Sequence, residues 1–277
     1  MTFSIVARSD DGESWGVAVA SKFLAVGATV GAARAQVGAV ATQSLPNLAW
    51  KRDGLDLMAH GRSAPEALES LVADDDRREE RQAGLVDRYG GAASHTGRDC
   101  LDWAGGHTAP GVAVQGNILT GPEVVDAMLA AWRAPRDSQD PRDGPDLDRR
   151  LLAALAAGDA AGGDRRGRQS AALLVVREGA GYGFDDVAVD LRVDDHPDPV
   201  AELARILDIH DLVHRAPPAA DRVPLTPNLR DELESLARLA GADDLDAWIG
   251  TENLEMRIGS DFVDRRVVAI LRAGSHP

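Results

Sequence analysis

The sequence predicts an α+β chain, with runs of strands alternating with runs of helices and a small, mostly helical appendage at the end. Three observations carry this reading. β-rich segments come in groups rather than singly between helices, which argues against a doubly wound parallel sheet. The stretch "SDDGES" places Asp-Asp-Gly turn chemistry between "FSIVAR" and "WGVAVAS". Further on, the proline-rich "RAPPAADRVPLTPN" has no apolar period and reads as a linker before a final helical segment.

The elements follow in order. Residues 2–22 form an antiparallel hairpin with Thr2 at its open end, and "GATVGAA" and "QVGAVATQS" supply two more strands whose glycines suit close sheet packing. Pro46 and the Gly54 region interrupt this pattern. Leu55, Leu57 and Met58 then mark one helix and Ser63–Val72 another, with Ser63 as N-cap, Pro65 near N1 and Glu66 at N3. "RQAGLVDRYGGAASHTG" is a hairpin turning at Tyr-Gly-Gly, "GVAVQGNILTG" is an apolar strand with a polar end, and Pro122–Trp132 is a helix. Residues 135–146 read as an exposed loop, "LDRRLLAALAAGDAAGG" as a helix, "QSAALLVVREGAGYGFDDVAVDLRVDD" as two strands, and Pro199–Val213 as a helix. The appendage has Leu229, Leu233, Leu236 and Leu239 on one helical face and a last helix carrying Val263, Val267, Ile270 and Leu271. The expected domains are 1–214, a linker at 215–224, and 225–277.

Composition narrows the function. At 277 residues with 44% apolar and 27% charged content, the chain can bury a sizeable core. Its net charge of −15 makes nucleic acid and anionic membrane poor partners. A single cysteine, Cys100, excludes an intrachain disulfide framework and a cysteine-rich zinc site. No apolar run approaches the roughly 18 residues of a membrane helix, and the start of the chain lacks a basic segment followed by an apolar one. The expectation is a soluble cytoplasmic protein that pairs as a homodimer through its helical layer, with no cofactor and no metal.

Several residues can carry chemistry. If Met1 is trimmed, Thr2 gains an α-amine with a pKa of about 7.7–8.0 that can act as base for its own hydroxyl. "GGDRRGRQS" concentrates Arg165, Arg166 and Arg168, whose guanidinium forks suit an anionic substrate group or, in a chain this acidic, an ion-pair cluster with aspartates. Gln169 and Ser170 can line the same pocket. "VDDHPD" (Asp194, Asp195, His196, Asp198) suggests a metal, but neighbouring strand residues face opposite ways, and Asp198 serves better as a helix N-cap before Pro199. His95 and Cys100 in "SHTGRDC" offer a weaker Cys–His alternative.

The stretches "MTFSIVAR", "GVAVASKFLAVGA", "GAVATQS", "HTGRDCLDWAG", "VQGNILTGPEVVDAM", "AGGDRRGRQSAALLVV" and "LRVDDHPDPVAEL", in this order, resemble the bacterial family called domain of unknown function 1028. The resemblance implies a four-layer αββα sandwich like that of the N-terminal-nucleophile hydrolases. Residues 217–273 resemble a peptidoglycan-binding module. Thr2 would then be the nucleophile. Proteasome-like members of that superfamily end their second strand in Ala-Asp and tune the nucleophile with a later lysine; here the strand ends "AVASK", so Ser21 or Lys22 fills part of the role without a residue-for-residue match. Gln115 and Asn117, flanking Gly116, are the first oxyanion candidates, with Thr42 and Gln43 second. His95, Arg168 and Gln169 complete the expected substrate-binding set. The function expected is hydrolysis of a small amide or peptide-like compound; the alternative is a non-catalytic protein that binds a ligand or a peptidoglycan fragment on the same fold.

Overall fold

A computed structural model describes residues 2–135 and 147–274. Met1 and most of the expected 135–146 loop lie outside the described residues. Contacts divide the chain into two compact units, one holding 2–135 with 147–204 and the other 205–274.

The first unit runs β1 (Thr2–Arg8), β2 (Ser14–Ser21), α1 (Val26–Thr29), β3 (Gly31–Arg34), β4 (Gly38–Ser44), α2 (Ala49–Ala59) and α3 (Ala64–Ala73). It continues with β5 (Arg81–Asp87), β6 (Ala92–Thr96), β7 (Gly105–Ala109), β8 (Val112–Asn117), α4 (Glu123–Arg133), α5 (Leu147–Ala160), β9 (Ser170–Arg177), β10 (Val187–Val193) and the start of α6 (Pro199–His214). The fold is mixed α+β with antiparallel sheets. One sheet has the order β10-β9-β2-β1-β8-β7 and the other β3-β4-β5-β6.

Strand alternation decides what each face packs against. Val6, Val17, Val19, Ala113 and Ala172 of the larger sheet share a buried cluster with Ala39, Ala41 and Val86 of the smaller, so the sheets face each other. Val40, Ala83 and Leu85 point the other way, onto Trp50, Leu55, Met58 and Leu68 of α2 and α3. On the outer side of the larger sheet, α5 packs on β1 and β2 and α4 on β8. The capping box that starts α3 forms as expected, Ser63 and Glu66 each holding the other's backbone N–H.

Three local expectations differ. "GATVGAA" yields only the short strand β3, because Ala25 takes a left-handed conformation (φ 52) and starts the helical turn α1, whose Val26 N–H donates to Ser170 Oγ. Part of the expected linker is the strand β11 (Arg222–Pro224), paired with β12 (Phe262–Asp264). Val263 therefore lies in a strand rather than the last helix, and the Asp264 side chain caps α9 (Arg265–Ala273) by accepting from the Arg266 N–H.

In the second unit α7 (Pro227–Leu239), α8 (Leu245–Thr251) and α9 enclose Leu233, Trp248, Ile249, Val267 and Leu271, whereas Leu239 is exposed. Arg257 and Asp264 form a buried ion pair at 2.8 Å inside this unit.

Candidate active site

The first residue of β1, the last of β2 and β8, the penultimate of β4 and the beginning of β5 meet at one end of the space between the sheets. Cross-strand register puts Thr2 opposite Asn117 and Gln43 opposite Gln82. Period-two alternation turns Thr2, Ser4, Ser21, Gln43, Gln82, Gln115 and Asn117 all inward, where the apolar cluster gives way to a polar one.

These side chains form one hydrogen-bonded web. Thr2 Oγ1 and Ser21 Oγ share a bond of 3.1 Å. Gln43 Nε2 donates to the Thr2 carbonyl (3.2 Å) and to Gln82 Oε1 (2.8 Å), while its Oε1 accepts from Ser4 Oγ (2.7 Å). Asn117 Nδ2 donates to Gln82 Oε1 at 2.9 Å, and Gln82 Nε2 donates to the Gly116 carbonyl at 2.7 Å. Gln115 Nε2 donates to Ser4 Oγ at 2.7 Å. All the amides are essentially inaccessible to solvent, so each bond forms where an unmet partner would cost about 1–3 kcal/mol.

The web separates the oxyanion candidates. Asn117 stands beside Thr2, whereas Gln115 lies one inward pair deeper, opposite Ser4, and both its bonds go to Ser4. Lys22 reaches the site only through its backbone N–H, which donates to Asp164 Oδ2 at 2.6 Å; its side chain is exposed and has no ion pair among the described residues.

Other expected residues fall outside the web. Thr42 and Gln43 were expected to line one pocket, but consecutive strand residues face opposite ways, and Thr42 points toward the helix-facing side. His95 also lies on that side, its ring 6.4 Å from that of Trp50 and its Nε2 2.9 Å from the Arg78 carbonyl oxygen. Arg168 pairs with Asp159 at 2.8 Å, Arg166 with Asp164 at 3.3 Å, and Gln169 donates to Asp195 at 3.1 Å. Arg165 donates to the backbone carbonyls of Asp102 and Leu119. Cys100 is buried, which pushes its thiol pKa up, and it donates to the Arg81 carbonyl rather than meeting a histidine.

Two contributors carried no sequence signal. Gln82 is the hub of the web, yet in "RQAGLVD" it is one polar residue in an ordinary strand, and its partners lie 35 and 39 residues away. Asp164, buried in the glycine–arginine loop, accepts from the Lys22 and Arg166 N–H groups and so pins that loop to the end of β2. The start of β5 is anchored in turn by Arg81, which is paired with the buried Asp75 at 3.0 Å. Burial opposes ionisation of Asp75, but hydrogen bonds from Arg81, Asn47 and the Arg77 N–H outweigh it and bring its pKa to about 2.

Residues 2–203, which hold the whole web, match a family described as "Family of unknown function (DUF1028)". The chain belongs to this family. The crystal structure of protein SPO2555 from Silicibacter pomeroyi, also assigned to DUF1028, is similar at 31% identity and a TM-score of 0.67, over 76% of this chain and 86% of that one. No functionally curated protein matches. The DUF1028 match ends before the helical unit 205–274. Among the described residues no helix is long and apolar enough to cross a membrane.

Proposed function

We propose that this DUF1028 chain is a hydrolase of a small amide, with Thr2 as an N-terminal nucleophile after removal of Met1. The observation that carries the reading is the position of Thr2: an inward-facing hydroxyl at the head of a central strand, 3.1 Å from Ser21 Oγ and directly across from Asn117. In the proposed reaction the Thr2 α-amine takes the hydroxyl proton as Oγ1 attacks the amide carbon. The C–N bond breaks, the departing nitrogen receives that proton, and water then hydrolyses the Thr2 ester to release the carboxylic acid. Asn117 has a second N–H beyond the one held by Gln82, and this hydrogen meets the developing oxyanion. Ser21 orients the hydroxyl, and Gln43 fixes the Thr2 carbonyl.

The finer fold assignment, a four-layer αββα sandwich of the N-terminal-nucleophile type, belongs to the same proposal. It is supported by two facing antiparallel sheets, each with helices on its outer side. For the unit 205–274, a peptidoglycan-binding-like role is supported by sequence resemblance over 217–273.

The test is the intact mass of untagged protein, before and after an electrophile selective for activated N-terminal nucleophiles. A chain lacking Met1 that takes a single adduct, lost in Thr2→Ala, is the expected result. Retained Met1, or a processed chain that never labels, overturns the hydrolase reading in favour of a non-catalytic binding protein. That second reading draws on the exposed Lys22 side chain, which leaves the web without an inward-facing cation to tune Thr2.

A further inference from the structure

The loops around the Thr2 end of the sheets carry a feature that the hydrolysis step does not use. Phe23 (52% exposed) and Leu45 (54%) directly follow the ends of β2 and β4, and Leu101 (65%) lies in the β6–β7 loop, where its carbonyl accepts from the Ile118 N–H just beyond β8. Burying such side chains against the apolar part of a ligand is favourable by about 25 cal/mol per Å² of apolar surface removed from water.

Hydrogen bonds link these loops in series. Leu45 is held by Arg81 Nη1, which donates to its carbonyl at 2.6 Å, and Cys100 donates to the Arg81 carbonyl at 3.4 Å. The next residue, Leu101, accepts from the Ile118 N–H at 2.9 Å, immediately after Asn117. Arg165 bonds the Asp102 carbonyl, and its neighbour Asp164 holds the Lys22 N–H at 2.6 Å, immediately before Phe23. Along this series the order is Leu45, Leu101, Arg165, Lys22, Phe23.

The two cations in this series differ from the arginines next to them in having no carboxylate partner among the described residues. Acidic residues outnumber basic ones by 45 to 30, and the neighbouring Arg166 and Arg168 are both paired with aspartates. Lys22 and Arg165 have no carboxylate partner among the described residues; the guanidinium of Arg165 is held by carbonyl oxygens, which orient it without neutralising it. Two uncompensated cations flanked by exposed apolar side chains fit a molecule with an anionic end and an apolar end.

We infer that the substrate class is an N-acylated amino acid: an amide joining an apolar acyl group to an amine that bears a carboxylate. Lys22 and Arg165 bind the carboxylate, while Phe23, Leu45 and Leu101 cover the acyl chain, which brings the amide between them over Thr2. This specificity rests on the hydrolase reading of Thr2, but the binding it requires can be measured without turnover.

The experiment uses the full-length Thr2→Ala chain, which has no nucleophile, and isothermal titration with N-octanoylglycine, its carboxamide and N-acetylglycine. The octanoyl carboxylate should bind about tenfold more tightly than its carboxamide and about tenfold more tightly than the acetyl compound. Lys22→Gln added to this background should reduce the carboxylate preference to about threefold or less. The Lys22 side chain is exposed and the substitution keeps its backbone bond to Asp164, so folding is not at stake. Equal affinity for carboxylate and carboxamide, a preference indifferent to Lys22, or no binding of any of the three overturns the inference. Tight, carboxylate-selective binding by a Thr2 chain that never cleaves the compound upholds the binding site and sinks only the hydrolase reading.

Discussion

Gly84→Ala tests whether the web is as closely fitted as its bonds imply. A Cβ at Gly84 would lie 2.1 Å from Gln115 Oε1, 2.6 Å from its Cδ and 2.8 Å from its Nε2. An amide at the end of a flexible chain normally swings aside, but Gln115 is fully buried and both its donated bonds go to Ser4. Moving it breaks those two bonds, at about 1 kcal/mol each, and leaves buried polar atoms unmet at about 1–3 kcal/mol. The expected loss is about 3 kcal/mol, or a Tm lower by about 6–12 °C for a domain of this size. Urea denaturation followed by circular dichroism gives the value, and Gln115→Ala closes a double-mutant cycle. With the colliding amide gone, the double variant should be less destabilised than the sum of the single variants by about 1 kcal/mol or more. A Gly84→Ala chain within about 0.5 kcal/mol of the parent, or an additive cycle, would show that the amide is not held as described.

Further outcomes are expected. Because the pKa of Asp75 is lowered to about 2, its contribution is fully present above the unfolded value of 3.8 and is lost as pH falls through about 2. That amounts to about 2 kcal/mol, and an acid titration of stability that is unchanged in Asp75→Asn would contradict it. Arg257→Met leaves the fully buried Asp264 carboxylate unpaired and should destabilise the unit 205–274 by about 3–5 kcal/mol, seen as early proteolysis within it; equal protease resistance would refute this. Buried Cys100, with its thiol pKa raised, should react with a thiol reagent far more slowly in the folded than in the unfolded chain, and Cys100→Ala should leave Thr2 labelling intact. Labelling of Thr2 should rise through about pH 7–8 as the α-amine loses its proton, and a flat profile over that interval would remove the amine as base.

What the sequence revealed depended on whether the determining interactions were local. The β1–β2 turn, the capping box of α3 and the strand carrying Gln115 and Asn117 are each written within a few neighbouring residues, and all appear where expected. Thr42 was misplaced although the information was present, since a strand that turns Gln43 inward must turn Thr42 outward. Gln82 and Asp164 were illegible for a different reason. Their importance comes from the stacking of two sheets and from a loop reaching across 142 residues to Lys22, and no local pattern encodes either. The strand β11 was hidden likewise, because proline-rich composition signals a linker while its pairing with β12 is decided some 40 residues later.

The amide web also fixes how the two sheets are aligned. Valine and alanine faces tolerate sliding past one another, because apolar contact has no preferred direction. Gln43, Gln82 and Asn117 do not, since displacing one sheet by a residue pair would break the bonds that cross between the sheets, from Gln43 to the Thr2 carbonyl, from Gln82 to the Gly116 carbonyl and from Asn117 to Gln82 Oε1, all at buried side chains. A chain with these three residues replaced by leucine or methionine should therefore retain its helix content and much of its melting temperature, yet populate several sheet alignments and give broadened amide resonances. In this sense the polar end of the interior works as a key: the apolar contacts supply cohesion, and the amides select one arrangement from those that cohesion alone would permit.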